Sequence, residues 1–321
     1  MRRLAGWWLP GWLLAWAVWL GVAAAPARAQ TRFEFAAIGG LPAGSSDERD
    51  LVRELSALDQ SAAAFIVHLG GFKTPAEPCA DALYAQRRAL LDAAARPLIA
   101  VPGTADWLDC DGQGHDPAER LGRLRELFFG DDSSLGQERL RLSRESELAR
   151  FRGYPENVRW RVGQVMFVGL NLPGRNNDFR SAAGRNAEFD DRLQANKLWL
   201  ERAFQQARRE RLAALVIALH GDPRFEVVAR RGGERDGYAE FKDWLRQQCA
   251  GFTGPVLLLH GAVPRQRVDQ PLRTPRATVV GNLTRLAVAD CGTARVRVNT
   301  APAAVRAGRV WQVERAPARR P

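Results

Sequence analysis

Two imidazoles and two carboxylates stand where apolar runs of the chain give out. His220 and Asp222 follow the run Leu212 to Leu219, His260 follows Val256 to Leu259, and Asp106 lies just beyond Pro102-Gly103, which ends the run Pro97 to Val101. Residues of these types at strand ends suit a weak mononuclear Zn²⁺ site or an acid/base pair. The same histidines can instead hydrogen-bond loop backbone, and the spacing leaves both readings open. A second group, Asn171, Arg175 and Asn177, follows Val165 to Leu170. Asn donates hydrogen bonds and Arg grips oxyanions with its fork, so these three suit an anion at the mouth of a site, or only the turn after the strand. The chain has no GxSxG elbow, no Walker A loop and no HExxH helix, and Gly39-Gly40 lacks the spacing of a dinucleotide fingerprint.

The elements that must position these residues alternate between strand and helix. Phe33 to Ile38, Ala64 to Leu69 and Pro97 to Val101 read as strands, each running into a glycine turn, with helices over Asp47 to Leu58 and Cys79 to Ala95 between them. Asp116-Pro117 opens a helix to about Phe129, with Asp as cap and Pro in the first position. The charged stretch Leu135 to Arg150 also reads as helix. Asn157 to Val162 and Val165 to Leu170 flank Gly163-Gln164 as a hairpin. Helices over Ala187 to Arg209 and Tyr238 to Ala250 alternate with the strands ending at Leu219 and Leu259. Thr278 to Val280, Leu283 to Val288, Val296 to Val298 and Val310 to Val313 are strand-like. This order implies a largely parallel sheet in an α/β fold, in one domain over 30–321.

Residues 1–29 stand apart. Arg2-Arg3 precede an uncharged Trp/Leu/Ala run that ends at Ala27-Arg28-Ala29, the pattern of a cleaved signal peptide. The expected location is therefore periplasmic or secreted, with no membrane span after cleavage; retention as an anchor is the alternative. In an oxidising compartment four cysteines suit disulfides better than zinc, since no CxxC pair exists. The expected pairs are Cys79 with Cys110 and Cys249 with Cys291, out of three connectivities that sequence permits. The net charge is +11, of which Arg2, Arg3 and Arg28 contribute three. Almost all of the basic charge is Arg, without a nucleic-acid motif, so nucleic acid is not an expected partner; an anionic small molecule or an envelope protein is.

The ordered set of motifs resembles the calcineurin-like metallophosphoesterases, in an exported bacterial branch. It comprises Ile38-Gly39-Gly40, His68-Leu69-Gly70-Gly71, Pro78 to Tyr84, Gly103 to Cys110, Asp116 to Leu121, Leu170 to Asn177, Ala195 to Leu200, His260 to Pro264 and Val268 to Leu272. The resemblance implies a four-layer α-β-β-α sandwich with two metal ions held at the carboxyl ends of strands, where they polarise a phosphoryl group and activate water. It also implies ligands at positions that here carry Gly40, Gly71, Ala105, Ala262 and Pro264, none of which supplies a donor side chain. The expectation is a pseudoenzyme without a cofactor, acting as a binding or interaction module. The alternative is a phosphoric ester hydrolase with a divalent metal such as Mn, Fe or Zn at a reduced site of Asp106, His220, Asp222 and His260.

Overall fold

The computed structural model describes residues 30–41, 45–181, 184, 186–227 and 235–315. The expected signal segment lies outside the described residues, as does the end of the expected domain.

The first half builds one sheet and its helical cover. Strands β1 (Arg32–Ile38), β2 (Ala63–His68) and β3 (Leu98–Ala100) run parallel, linked by helices α1 (Ser45–Asp59) and α2 (Asp81–Asp92). Alternation along β1 sends Phe33, Phe35 and Ala37 to one face and Ala36 and Ile38 to the other, as the two-residue strand period requires. After β3 come a single helical turn, α3 (Thr104–Trp107), and then α4 (Pro117–Phe128). Asp116 caps α4 through the N–H of Ala118 at 2.9 Å, with Pro117 in the first turn as expected.

The stretch read as a helix over Leu135 to Arg150 is not one. It holds the two-residue strand β4 (Ser143–Arg144) and 3₁₀ turns at Glu145–Glu147 and Ala149–Phe151. Leu135 exchanges both backbone hydrogen bonds with Leu98, and Gly136 follows at φ +94°, so pairing with a sheet edge wins over helical propensity. The buried Arg144 then fastens the segment by donating to the carbonyls of Asp131, Ser133 and Pro155.

The second half forms a seven-stranded sheet. The hairpin β5 (Val158–Val162) and β6 (Val165–Gly169) turns at Gly163, φ +55°. A short left-handed turn, α5 (Gly174–Asn177), leads towards the long helix α6 (Ala187–Arg209), then β7 (Ala214–Leu219) and α7 (Ala239–Ala250). Next come β8 (Val256–Val263), β9 (Arg267–Asp269) and β10 (Leu283–Ala289). The chain returns to the first sheet with β11 (Thr293–Asn299), the short helix α8 (Pro302–Arg306) and β12 (Trp311–Arg315). The sheet orders are β12-β11-β1-β2-β3 and β4-β5-β6-β7-β8-β10-β9, with β6, β7, β8 and β10 parallel. Thr278 to Val280 contributes no strand; Val279 makes one isolated bridge to Arg273.

Three apolar clusters fill the spaces between four layers. Between the sheets, Phe35 stacks on Phe65 at 5.3 Å, and Phe167 meets Phe65 edge-on at 5.1 Å. Outside the first sheet, Leu51, Leu55, Tyr84, Leu121 and Leu124 cover Ala36 and Ile66. Outside the second, Trp199, Phe204, Phe241 and Leu245 cover Val168 and Ile217. The result is the expected α-β-β-α sandwich.

Cys79 and Cys110 are bonded, with Cα atoms 5.8 Å apart, and join the start of α2 to the 3₁₀ turn Leu108–Gln113. The second expected pair does not form. Cys249 is buried under α7 against the second sheet, whereas Cys291 lies in the β10–β11 turn packed against the first sheet's helical layer, so the two thiols belong to different cores. Replacing Cys79 and Cys110 together by Ser should lower stability by about 3 kcal/mol, for a loop of 31 residues, in denaturant unfolding.

Candidate functional site

The carboxyl ends of β1, β2, β3, β7 and β8 meet at one face, and the loops there are sewn together by Asp106. This side chain is fully buried. Its Oδ2 accepts the N–H groups of Gly71 at 2.9 Å and Gly103 at 2.6 Å, and its Oδ1 those of Phe72 at 2.6 Å and Lys73 at 3.3 Å. The Asp106 carbonyl is in turn held by Tyr84 Oη at 2.7 Å. Burial raises the Asp106 pKa above the ordinary carboxylate value, against the pull of His220 and of the N–H groups of Gly103, Gly71 and Phe72.

Backbone lies against backbone at the base of this face. Gly70 and Gly71 both take left-handed conformations, φ +79° and +78°. A Cβ on Gly71 would stand 3.0 Å from Gly40 Cα, and one on Gly103 would stand 2.3 Å from Gly71 N. Ala262 is also left-handed, φ +52°, in a bulge where β8 has one more residue than β10 between His260 and Val263. The strand therefore continues past His260 instead of ending there.

Above this base opens a cleft of about 630 Å³, lined among others by Gly40, Gly71, Ala105 and Ala262. Four positions that the resemblance assigns to ligands thus meet in one place, without donor side chains; Pro264 is exposed at the end of β8. His220 lines the cleft and donates from Nδ1 to the Leu69 carbonyl at 2.7 Å, while its Nε2 makes no hydrogen bond to the protein among the described residues. Asp222 also lines the cleft; its Oδ1 accepts the Arg224 N–H at 2.9 Å. His260 sits behind it, fully buried, with Nδ1 donating to the Gly261 carbonyl at 2.9 Å and Nε2 3.8 Å from Asp222 Oδ1.

The three residues expected to meet an anion fare differently. Asn171 and Asn177 are completely buried and do not reach the cleft. Asn171 donates to Glu156 Oε1 at 3.1 Å, while Asn177 donates to the Gly237 carbonyl at 3.0 Å and accepts from Arg192 at 2.6 Å. Both are tied into the loop after β6, with the Asn177 amide bonded through both its nitrogen and its oxygen, whereas Asn171 Oδ1 is buried without a hydrogen-bond partner. Arg175 does line the cleft, but its guanidinium is tied to Asp109 and Asp111 at 3.1 to 3.2 Å and to the Leu108 carbonyl.

Several lining residues escaped the sequence reading. Lys73 follows the second glycine turn, and its Nζ donates to the carbonyls of Thr74 at 2.8 Å and Glu77 at 3.1 Å. Burial lowers its pKa, while Asp106, Asp109 and Glu77 oppose that shift. Asp290 lies in the tight β10–β11 turn with its carboxylate against Gly40. Burial raises its pKa, with His220 and the Ala262 N–H pulling the other way. An Asp-Cys-Gly turn between strand-like runs was its only signal. Among the described residues, no group of three or more His, Cys, Asp or Glu is arranged to hold a metal. The residues present do not fit a dinuclear centre: four cleft positions have no donor side chain, and Asp106 is committed to four N–H groups.

No family model matches the chain, and no curated protein does. Among solved structures it is similar to TT1561 of Thermus thermophilus, with 13% identity and a TM-score of 0.44, over 89% of this chain and 99% of that one. A dimetal phosphatase from Danio rerio matches at 9% identity and TM-score 0.46, over 82% of this chain and 92% of that one. The NAD nucleotidase NadN of Haemophilus influenzae matches at 9% identity and TM-score 0.45, over 88% of this chain and 49% of that one. At these identities and TM-scores none of them bears on the chemistry of the cleft.

The clamp and the imidazole beneath it can each be probed by one substitution. Asp106→Asn places an amide N–H₂ against N–H donors and should cost roughly 3 kcal/mol in denaturant unfolding, with the loops at Gly71 and Gly103 losing hydrogen-exchange protection. His68, fully buried beneath the same loops, donates from Nε2 to the Leu41 carbonyl, and burial lowers its pKa to about 4. The unfolded chain therefore binds this proton first as pH falls. Stability is full above the unfolded value near 6.5 and drops by roughly 3 kcal/mol down to pH 4, a slope that unfolding curves of His68→Asn should lack.

Proposed function

We propose that this chain is a metal-free binding module on a metallophosphoesterase-type scaffold, acting in the periplasm or outside the cell. One observation carries the reading. The positions from which loops of such a scaffold would reach two ions are Gly40, Gly71, Ala105 and Ala262, and they line a cleft whose nearest buried acid is taken up by four backbone N–H groups. Divalent ions need oxygen or nitrogen donors at close range, and a centre without them supplies no activated water. What remains is a concave polar site of a volume that suits a small molecule. The Cys79–Cys110 bond supports an oxidising compartment, in keeping with the export signal read at 1–29.

A reduced hydrolytic site finds less support. Asp106 faces backbone donors and not the cleft, and His260 is buried behind Asp222, so of that set only His220 and Asp222 line the cleft. Purified mature protein should therefore leave aryl phosphate monoesters and diesters uncleaved with Mn, Fe or Zn present; metal-dependent turnover that survives repurification would sink the reading. Gly71→Asp should not create activity. Its side chain enters a left-handed position 3.0 Å from Gly40 Cα, so the expected result is a fall in unfolding temperature instead.

A further inference from the structure

The cleft wall engages its cations with protein oxygens and gives two of its carboxylates, Asp222 and Asp290, only backbone N–H groups as hydrogen-bond donors among the described residues. Lys73 gives two of its protons to carbonyls, Arg175 is forked onto Asp109 and Asp111, and Arg224 is tied to Asn176 Oδ1 at 2.5 Å. The acceptors are not answered in the same way. Asp290 makes no ion pair with any Lys or Arg among the described residues, and its turn is exposed at the cleft. Asp222 stands 4.0 Å from Arg285 Nη1 and 3.8 Å from His260 Nε2, beyond hydrogen-bond reach of both. Those two nitrogens are buried and make no hydrogen bond, so Arg285 and His260 face Asp222 only at ion-pair range, and the Arg224 N–H is its hydrogen-bond donor among the described residues. His220, only 7% exposed, lines the cleft with its Nδ1 held by the Leu69 carbonyl and its Nε2 free of hydrogen bonds among the described residues, so that its neutral form offers an acceptor there.

We infer that the cleft binds a ligand bearing a protonated amine, whose ammonium is received by Asp290, Asp222 and His220 Nε2. The inference rests on reading the cleft as a binding site and adds the class of ligand. An ammonium brings three donors and a positive charge to two carboxylates that, among the described residues, take hydrogen bonds only from backbone N–H groups. A phosphate or carboxylate brings only acceptors, and two carboxylates repel it. The geometry thus reverses the anionic ligand that the chain's overall basic charge suggests: that charge is spread over the whole chain, whereas in the cleft lining Arg175 is paired with Asp109, Lys73 and Arg224 are hydrogen-bonded to neutral oxygens, and Asp222 and Asp290 remain to meet a cation.

Isothermal titration of the mature chain with 1,4-diaminobutane, inorganic phosphate and glycerol tests this. The expected result is saturable binding of the diamine alone, weakened by salt. Asp290→Asn and Asp222→Asn should each lower its affinity by about tenfold or more, with unliganded unfolding temperatures unchanged. Binding of phosphate or glycerol without the diamine, no binding of the diamine, or diamine binding indifferent to both substitutions would overturn the inference. If the diamine fails while no metal-dependent hydrolysis occurs, the ligand class is wrong and the binding-module reading stands; hydrolysis with added metal removes that reading whatever the diamine does.

Discussion

One carboxylate holds the cleft end of this molecule together. Four N–H groups from two loops converge on Asp106, and without it the turns after β2 and β3 would present buried donors to nothing. A charge-assisted cluster of this kind is stronger than neutral hydrogen bonds, and breaking it is strongly destabilising because each donor is then left unsatisfied. The negative charge that a metal site would use to attract cations is here consumed in fixing the backbone.

The clamp explains how the loops hold their paths around glycine positions. Gly103 lies so close to Gly71 that a Cβ on Gly103 would displace main chain, and the left-handed conformations of Gly40, Gly70 and Gly71 favour glycine. Ala262 holds the same kind of conformation under steric strain, kept by the bulge between β8 and β10. The three apolar layers make this arrangement rigid from below. His220, Asp222 and Asp290 line the cleft beside Gly40 and Gly71.

Much of the scaffold was legible because it follows local physics. The alternation in Phe33 to Ile38, the Asp116-Pro117 cap and the length of Ala187 to Arg209 all report the elements they form. Leu135 to Arg150 misled because its charges mimic a helical face while Leu135 is taken up by the edge strand at Leu98. Cys249 and Cys291 misled because an even count says nothing of which layer each thiol enters. Asn171 and Asn177 were placed at the mouth by their types, yet partners distant in sequence, Glu156, Arg192 and Gly237, draw them inward. Asp290 was invisible, since only the folding of β10 and β11 onto different sheets brings its turn over Gly40. Gly40, Gly71, Ala105 and Ala262 were singled out only through the resemblance, and they line one cleft.

The central claim is that this cleft is organised by a carboxylate and glycines in place of metal. Elemental mass spectrometry of mature protein from cells grown with added Mn, Fe and Zn measures that directly. The account predicts far less than one ion per chain; one or two tightly held ions per chain, retained through chelation and dialysis, would contradict it.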